Sequence, residues 1–187
     1  MQRNLSVLIM TADGVEDIEL QYPWYRLKEA GVHVDIAAPD AGIVKGKRKS
    51  EIPANLSFDQ VDPSKYDVLV LPGGKGPAKV RKSKTALDIV RSFFDSGKLV
   101  AAICHGAQVL VSAGLVEGRS LTSWPEVREE VEQEGGKWID QEVVQDGNLI
   151  TSRMPDDLPA FMRTTLEAMG VIRSQAQQDI PGAASFP

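Results

Sequence analysis

The stretch LVAAICHGAQVLVSAG, residues 99–114, decides the fold. Its opening run, LVAAIC at 99–104, is apolar without period-2 alternation, the mark of a strand buried on both faces. The spacing from 105 to 113 is helical and ends at Gly114, a residue suited to the left-handed cap that closes a helix. A buried strand passing straight into a helix is half of a βα unit. Two more runs repeat the pattern, SVLIM at 6–10 and DVLVLP at 67–72, while VHVDIAAP at 32–39 alternates and reads as the second strand. Helical spacing recurs at 17–30, 77–96, 125–134 and 158–169, followed by Gly31, Gly97, Gly135 and Gly170. This alternation predicts an open, mostly parallel α/β sheet. Extra hairpins are expected in the polar excursion 40–58 and in WIDQEVVQDGNLITS at 138–152, where Asp146-Gly147 separates two strand-like runs.

Composition bounds the function. A chain of 187 residues that is 42% hydrophobic fills one core, so residues 1–171 read as a single domain. Residues 172–187, ending in SQAQQDIPGAASFP, have no periodicity and read as a tail that is disordered or docked on a partner. With 21 basic against 26 acidic residues, a net charge of −5 repels nucleic acid and anionic lipid. The densest basic stretch, KGKRKSE at 45–51, reads as a solvated hairpin tip rather than a phosphate site. One cysteine and two histidines supply neither an internal disulfide nor a four-ligand zinc site, so no metal or cofactor is expected and a reducing cytoplasm fits. The N-terminal apolar stretch is too short for a signal-peptide core or a membrane span.

In a doubly wound sheet, ligands collect beyond the C-terminal strand ends where strand order reverses. That rule gathers three loops: TADGVED at 11–17, PGGKGP at 72–77 and CHGAQ at 104–108. The first carries Asp13, Glu16 and Asp17, with Glu19 just beyond; most of these acids suit solvent or the positive end of the following helix, leaving room for one to point inward. Gly73 and Gly74 expose backbone N–H groups to an anion or a developing oxyanion. GGKGPAK lacks the glycine pattern, ribose-binding acid and lysine of a nucleotide loop. Cys104 sits where a strand-to-helix turn lifts a nucleophile above the sheet edge, and a helix N-terminus lowers the pKa of such a thiol. The competing reading, a small core hydrophobe, loses weight at the switch point. His33 starts a strand and reads as a surface residue, which leaves His105 as the partner. No histidine follows it, which disfavours a class I glutamine amidotransferase with its distant downstream histidine.

The segments TADGVEDIELQYPWYRLKEAG, LVLPGGKGPAKVR, AAICHGAQVLVSAG and DQEVVQDGNLITSRMPDDLPAFMR together resemble the PfpI family of intracellular cysteine hydrolases, in the superfamily that includes parkinsonism-associated protein deglycase. The resemblance implies a flavodoxin-like three-layer sandwich with extra hairpins, homo-oligomers built from dimers, and roles as peptidase, glyoxalase, deglycase or stress chaperone. It assigns Cys104 as nucleophile, His105 as its adjacent histidine, Glu16 as the acid on the sulfur, and the backbone amides of Gly74 and His105 as oxyanion donors, beside the Gly73 amide that the loop itself offers. Trp124 stands where some members carry a tyrosine and would wall the site. Ala78 stands where peptidase-like members carry the glutamate of a Cys-His-Glu triad formed across a subunit interface. An alanine cannot orient an imidazole. The reading that follows is a cytosolic stress-response enzyme acting on small reactive carbonyls or glycated protein adducts through Cys104. Its alternatives are a cysteine peptidase and, in another class, a redox sensor or holdase chaperone whose cysteine is oxidised without turnover.

Overall fold

The computed structural model describes residues 5–172; apart from Ile172, the tail expected at 172–187 lies outside them. The chain opens with β1 (Ser6–Met10), α1 (Asp17–Glu29), β2 (His33–Ala38), a hairpin of β3 (Gly42–Lys45) and β4 (Glu51–Ala54), and the short β5 (Leu56–Ser57). It continues through β6 (Val68–Leu71), α2 (Pro77–Val80), α3 (Lys84–Asp95), β7 (Leu99–Ile103), α4 (Ala107–Ala113) and β8 (Ser120–Leu121). It closes with α5 (Arg128–Gln133), β9 (Lys137–Trp138), β10 (Val144–Asp146), β11 (Leu149–Ser152) and α6 (Leu158–Ala168).

Among the described residues, seven strands form one sheet in the order β10-β11-β7-β6-β1-β2-β5, parallel except where β10 pairs antiparallel with β11. From β1 the chain winds outward through β2 and β5, then returns to the other side of β1 through β6 and β7. Strand order therefore reverses between β1 and β6, and the loops after β1, β6 and β7 meet at that edge.

The missing alternation in the central strands has a direct cause, since each face of the sheet is covered. Leu8, Met10, Leu69, Leu71, Val100 and Ala102 pack with Val90, Phe93 and Leu110 of α3 and α4. Val7, Ile9, Val68, Val70, Ala101 and Ile103 pack on the opposite face with Leu20, Leu27, Phe161 and Leu166 of α1 and α6. Successive residues of one strand thus feed different cores, and both positions must be apolar. The architecture is a flavodoxin-like α/β sandwich of three layers.

Both expected hairpins are present, β3 with β4 and β10 with β11. Gly31, Gly97, Gly114, Gly135 and Gly170 all take positive φ behind their helices. The segment 77–96 differs from expectation, because it breaks into α2 and α3. Ser83 accepts a hydrogen bond from the Ala86 N–H and caps a new helix there. Trp138 leaves the late hairpin and pairs in β9 with β8. Among the described residues no helix is long and apolar enough to cross a membrane.

Candidate active site

The site is built on a sharp turn at the end of β7. Cys104 has φ 61, a left-handed conformation that disfavours any residue with a Cβ by about 1 kcal/mol or more. A single 3-10 turn, Cys104–Gly106, then leads into α4. Close approach of the neighbouring loops enforces the turn. A Cβ on Gly106 would lie 2.2 Å from the Leu71 carbonyl oxygen, and one on Gly73 would lie 2.7 Å from the Cys104 Cβ. The loops are also laced together, as Glu16 donates its N–H to the Gly73 carbonyl at 3.2 Å and Lys75 donates to Gly14 at 2.8 Å.

Gly74 shows how little slack remains. Its φ is 76, and an added Cβ would lie 2.2 Å from the Glu16 nitrogen. Gly74→Ala combines a disfavoured φ with a clash against backbone, so a loss of about 3 kcal/mol is expected. In a chain this long that is a fall in Tm of about 6 to 12 °C, readable by thermal melting. A variant melting with the wild type would contradict the packing described here.

The Cys104 sulfur is buried among hydrogen-bonding groups. The N–H groups of Gly74 and His105 donate to it, the Glu19 carboxyl is its side-chain partner, and His105 Nδ1 lies 3.3 Å away. Glu19 is fully buried; its Oε2 accepts the Gly73 N–H at 2.8 Å, while Oε1 has no partner of its own. Burial raises the Glu19 carboxyl to about 7, against the hydrogen bonds from Gly73 and Cys104. Burial, then the Glu19 charge, push the Cys104 thiol up to about 12, against the pull of the two amides. The acidified thiol expected from the helix N-terminus is therefore outweighed, first by burial and then by the Glu19 charge. Once Glu19 holds a proton, the charge opposing a thiolate is gone. Carboxyl and thiol compete for one proton.

Two expected roles move. The acid on the sulfur is Glu19, not Glu16. Glu16 lies just before α1 and its carboxylate accepts from Lys47 Nζ at 3.3 Å and Arg48 Nε at 3.0 Å. Glu19 lies one helical turn further, beside Leu20 among the residues that α1 buries, and penetrates deeper. Gly73 spends its N–H on Glu19, which leaves Gly74 and His105 as the amides at the sulfur. The basic tip at 45–51 is also more than a solvated turn. Asp17 accepts the Arg48 and Ser50 N–H groups at 2.7 and 2.9 Å, and Lys47 donates its N–H to the Val15 carbonyl at 2.8 Å, so the tip is strapped to the first loop.

Around these groups lies a cavity of about 700 Å³, lined among others by Glu16, Lys47, Arg48, Ala78, Trp124 and Glu126, with Cys104 and His105 in its wall. Trp124 stacks on the His105 ring with centroids 6.1 Å apart, and its backbone N–H donates to the Cys104 carbonyl at 3.3 Å. His105 is half-buried; burial lowers its pKa and the nearby Glu126 opposes that. His33 is exposed on β2 beside Asp35, away from the site.

Residues 5–168 match the DJ-1/PfpI family. The chain belongs to that family. Among DJ-1/PfpI relatives, Deglycase PH1704 of Pyrococcus horikoshii is 47% identical over 85% of this chain and 96% of its own length. Protein/nucleic acid deglycase 2 of Escherichia coli is 41% identical over 91% of this chain and 99% of its own. The crystal structure of Drosophila melanogaster DJ-1beta superposes with a TM-score of 0.85 at 35% identity, covering 90% of this chain and 92% of that one. These are proteins the chain is similar to, and it covers more than nine tenths of the length of each.

Proposed function

We propose that this DJ-1/PfpI protein is a cysteine-dependent enzyme of the deglycase type, removing small reactive carbonyls or their adducts from proteins in the cytoplasm. The observation that carries the reading is the Cys104 sulfur held on a left-handed turn against the buried Glu19 carboxyl, at the wall of an open cavity. Relatives named as deglycases support it.

In this reading Cys104 gives its proton to Glu19 and the sulfur bonds to an aldehyde carbon. As the C=O bond opens, its oxygen gathers charge beside the Gly74 and His105 amides and then takes the proton back from Glu19. A carboxyl near 7 suits that exchange at neutral pH, being as ready to accept as to donate. Addition to a free carbonyl expels no amine, and a fresh hemiaminal adduct breaks its own C–N bond to release the protein amine and the carbonyl before addition, so the step asks less of a fixed imidazole than amide hydrolysis does. With Ala78 in place of an interface glutamate, we favour carbonyl chemistry over peptide cleavage.

The test is turnover by the wild-type protein of a panel containing dicarbonyls, amino acids freshly glycated by a dicarbonyl, and peptides. Dicarbonyls or the fresh adducts are expected to be consumed faster than peptides are cut. Protection of cells from peroxide, with nothing in the panel turned over, would replace this reading with that of a redox sensor.

A further inference from the structure

The imidazole of His105 offers two in-plane nitrogens, and both face something. Nδ1 lies 3.3 Å from the Cys104 sulfur, and Nε2 lies 3.9 Å from Glu126 Oε2. Glu126 follows Trp124 and Pro125 in the 3-10 turn Pro125–Val127, and that turn is tied to the nucleophile by the Trp124 backbone N–H on the Cys104 carbonyl and by the Trp124 ring on the imidazole. The carboxylate is therefore delivered to the far edge of His105 by the same loop that stacks its face.

Other charges around the ring are committed elsewhere. Glu130 accepts from Arg81 at 2.6 Å and from Gln108 at 2.8 Å, and Lys47 is bonded to Glu16. Glu16, Arg48 and Lys75 also line the cavity, and Glu19 lies on the far side of the sulfur. Among the described residues the ion pair of Glu126 is with His105 alone.

We infer that Glu126 is a positioning residue, a carboxylate from the same chain that orients His105 toward Cys104 and takes the place the sequence leaves vacant at Ala78. This rests on the proposed use of Cys104 in turnover and adds a role for the His105 imidazole that lies against its sulfur. A negative charge at Nε2 keeps the proton on that nitrogen and turns the Nδ1 lone pair to the thiol. It also favours the imidazolium once a proton arrives. The separation exceeds a direct hydrogen bond, so the charge acts through its field or a small rotation of an exposed side chain.

The experiment is titration of the His105 ring by NMR in the full chain. With only two histidines, His33→Gln leaves one resonance to follow. Glu126→Gln is expected to lower the His105 midpoint by about 0.3 to 0.7 in pH, a shift that shrinks in 1 M salt. With a substrate from the panel, kcat should fall about two- to fivefold while KM holds, and Glu126→Asp should recover part of the loss. A His105 midpoint equal in wild type and Glu126→Gln overturns the inference, as does an unchanged kcat. A wild type that turns over nothing defeats the functional reading instead, and the NMR midpoint alone then decides the role of Glu126.

Discussion

Cys104→Ala is expected to reduce carbonyl turnover by about 10⁴-fold or more while the protein remains folded. The size follows from the placement of the thiol. Among the described residues the chain has a single cysteine, and its sulfur receives the Gly74 and His105 amides and has the Glu19 carboxyl as its side-chain partner. Alanine keeps the backbone and loses only the sulfur, leaving a small void beside the open cavity at a modest cost of about 1 kcal/mol. Cys104→Ser is the sharper control, because it keeps a polar atom in place but ionises far less readily than a thiol. Both variants should show wild-type circular dichroism and bind no iodoacetamide. Turnover within tenfold of wild type in either would move the chemistry away from Cys104.

What the sequence made legible follows the physics of burial. SVLIM, DVLVLP and LVAAIC are apolar at every position because two cores claim alternate residues, and that pattern cannot be imitated by an exposed strand. The turn at Cys104 was readable because a doubly buried strand passes there into a helix, with Gly106 two residues on to permit a close backbone approach. Choosing between Glu16 and Glu19 was harder. They are three residues apart, hence on one helix face, and motif matching alone does not say which goes deeper. Helical spacing does not find Glu19, since the apolar stripe Leu20, Pro23 and Leu27 steps back to Glu16; Glu16 is drawn instead to Lys47 and Arg48, which come from a distant loop. The strapped basic tip and the approach of Glu126 to His105 were not legible at all. Each depends on where two distant loops end up, and no local periodicity reports that.

The second large effect is expected at Glu19, where function and stability pull in opposite directions. Its carboxyl is raised from 4.5 to about 7 because burial disfavours the charge. The folded state therefore holds a proton that the unfolded chain has already released between those values, and stability contributed by the neutral group is present below 4.5 and lost as pH rises through about 7. Above that range the folded protein carries a buried charge worth about 3 kcal/mol of lost stability. Glu19→Gln keeps an oxygen for the Gly73 N–H, offers its amide N–H to the Cys104 sulfur, and never ionises. Its Tm should accordingly exceed the wild type by several degrees at pH 8 and match it near pH 4. The Cys104 thiol should ionise at lower pH in the variant, since the opposing charge is gone, which thiolate absorbance at 240 nm would report. Turnover should nevertheless drop about 10²-fold, because an amide can neither take the thiol proton nor return it to the carbonyl oxygen. A variant that is less stable than wild type at pH 8, or whose thiol ionises no earlier, would mean that Glu19 is already neutral at that pH and that the proton resides on the carboxyl rather than on the sulfur.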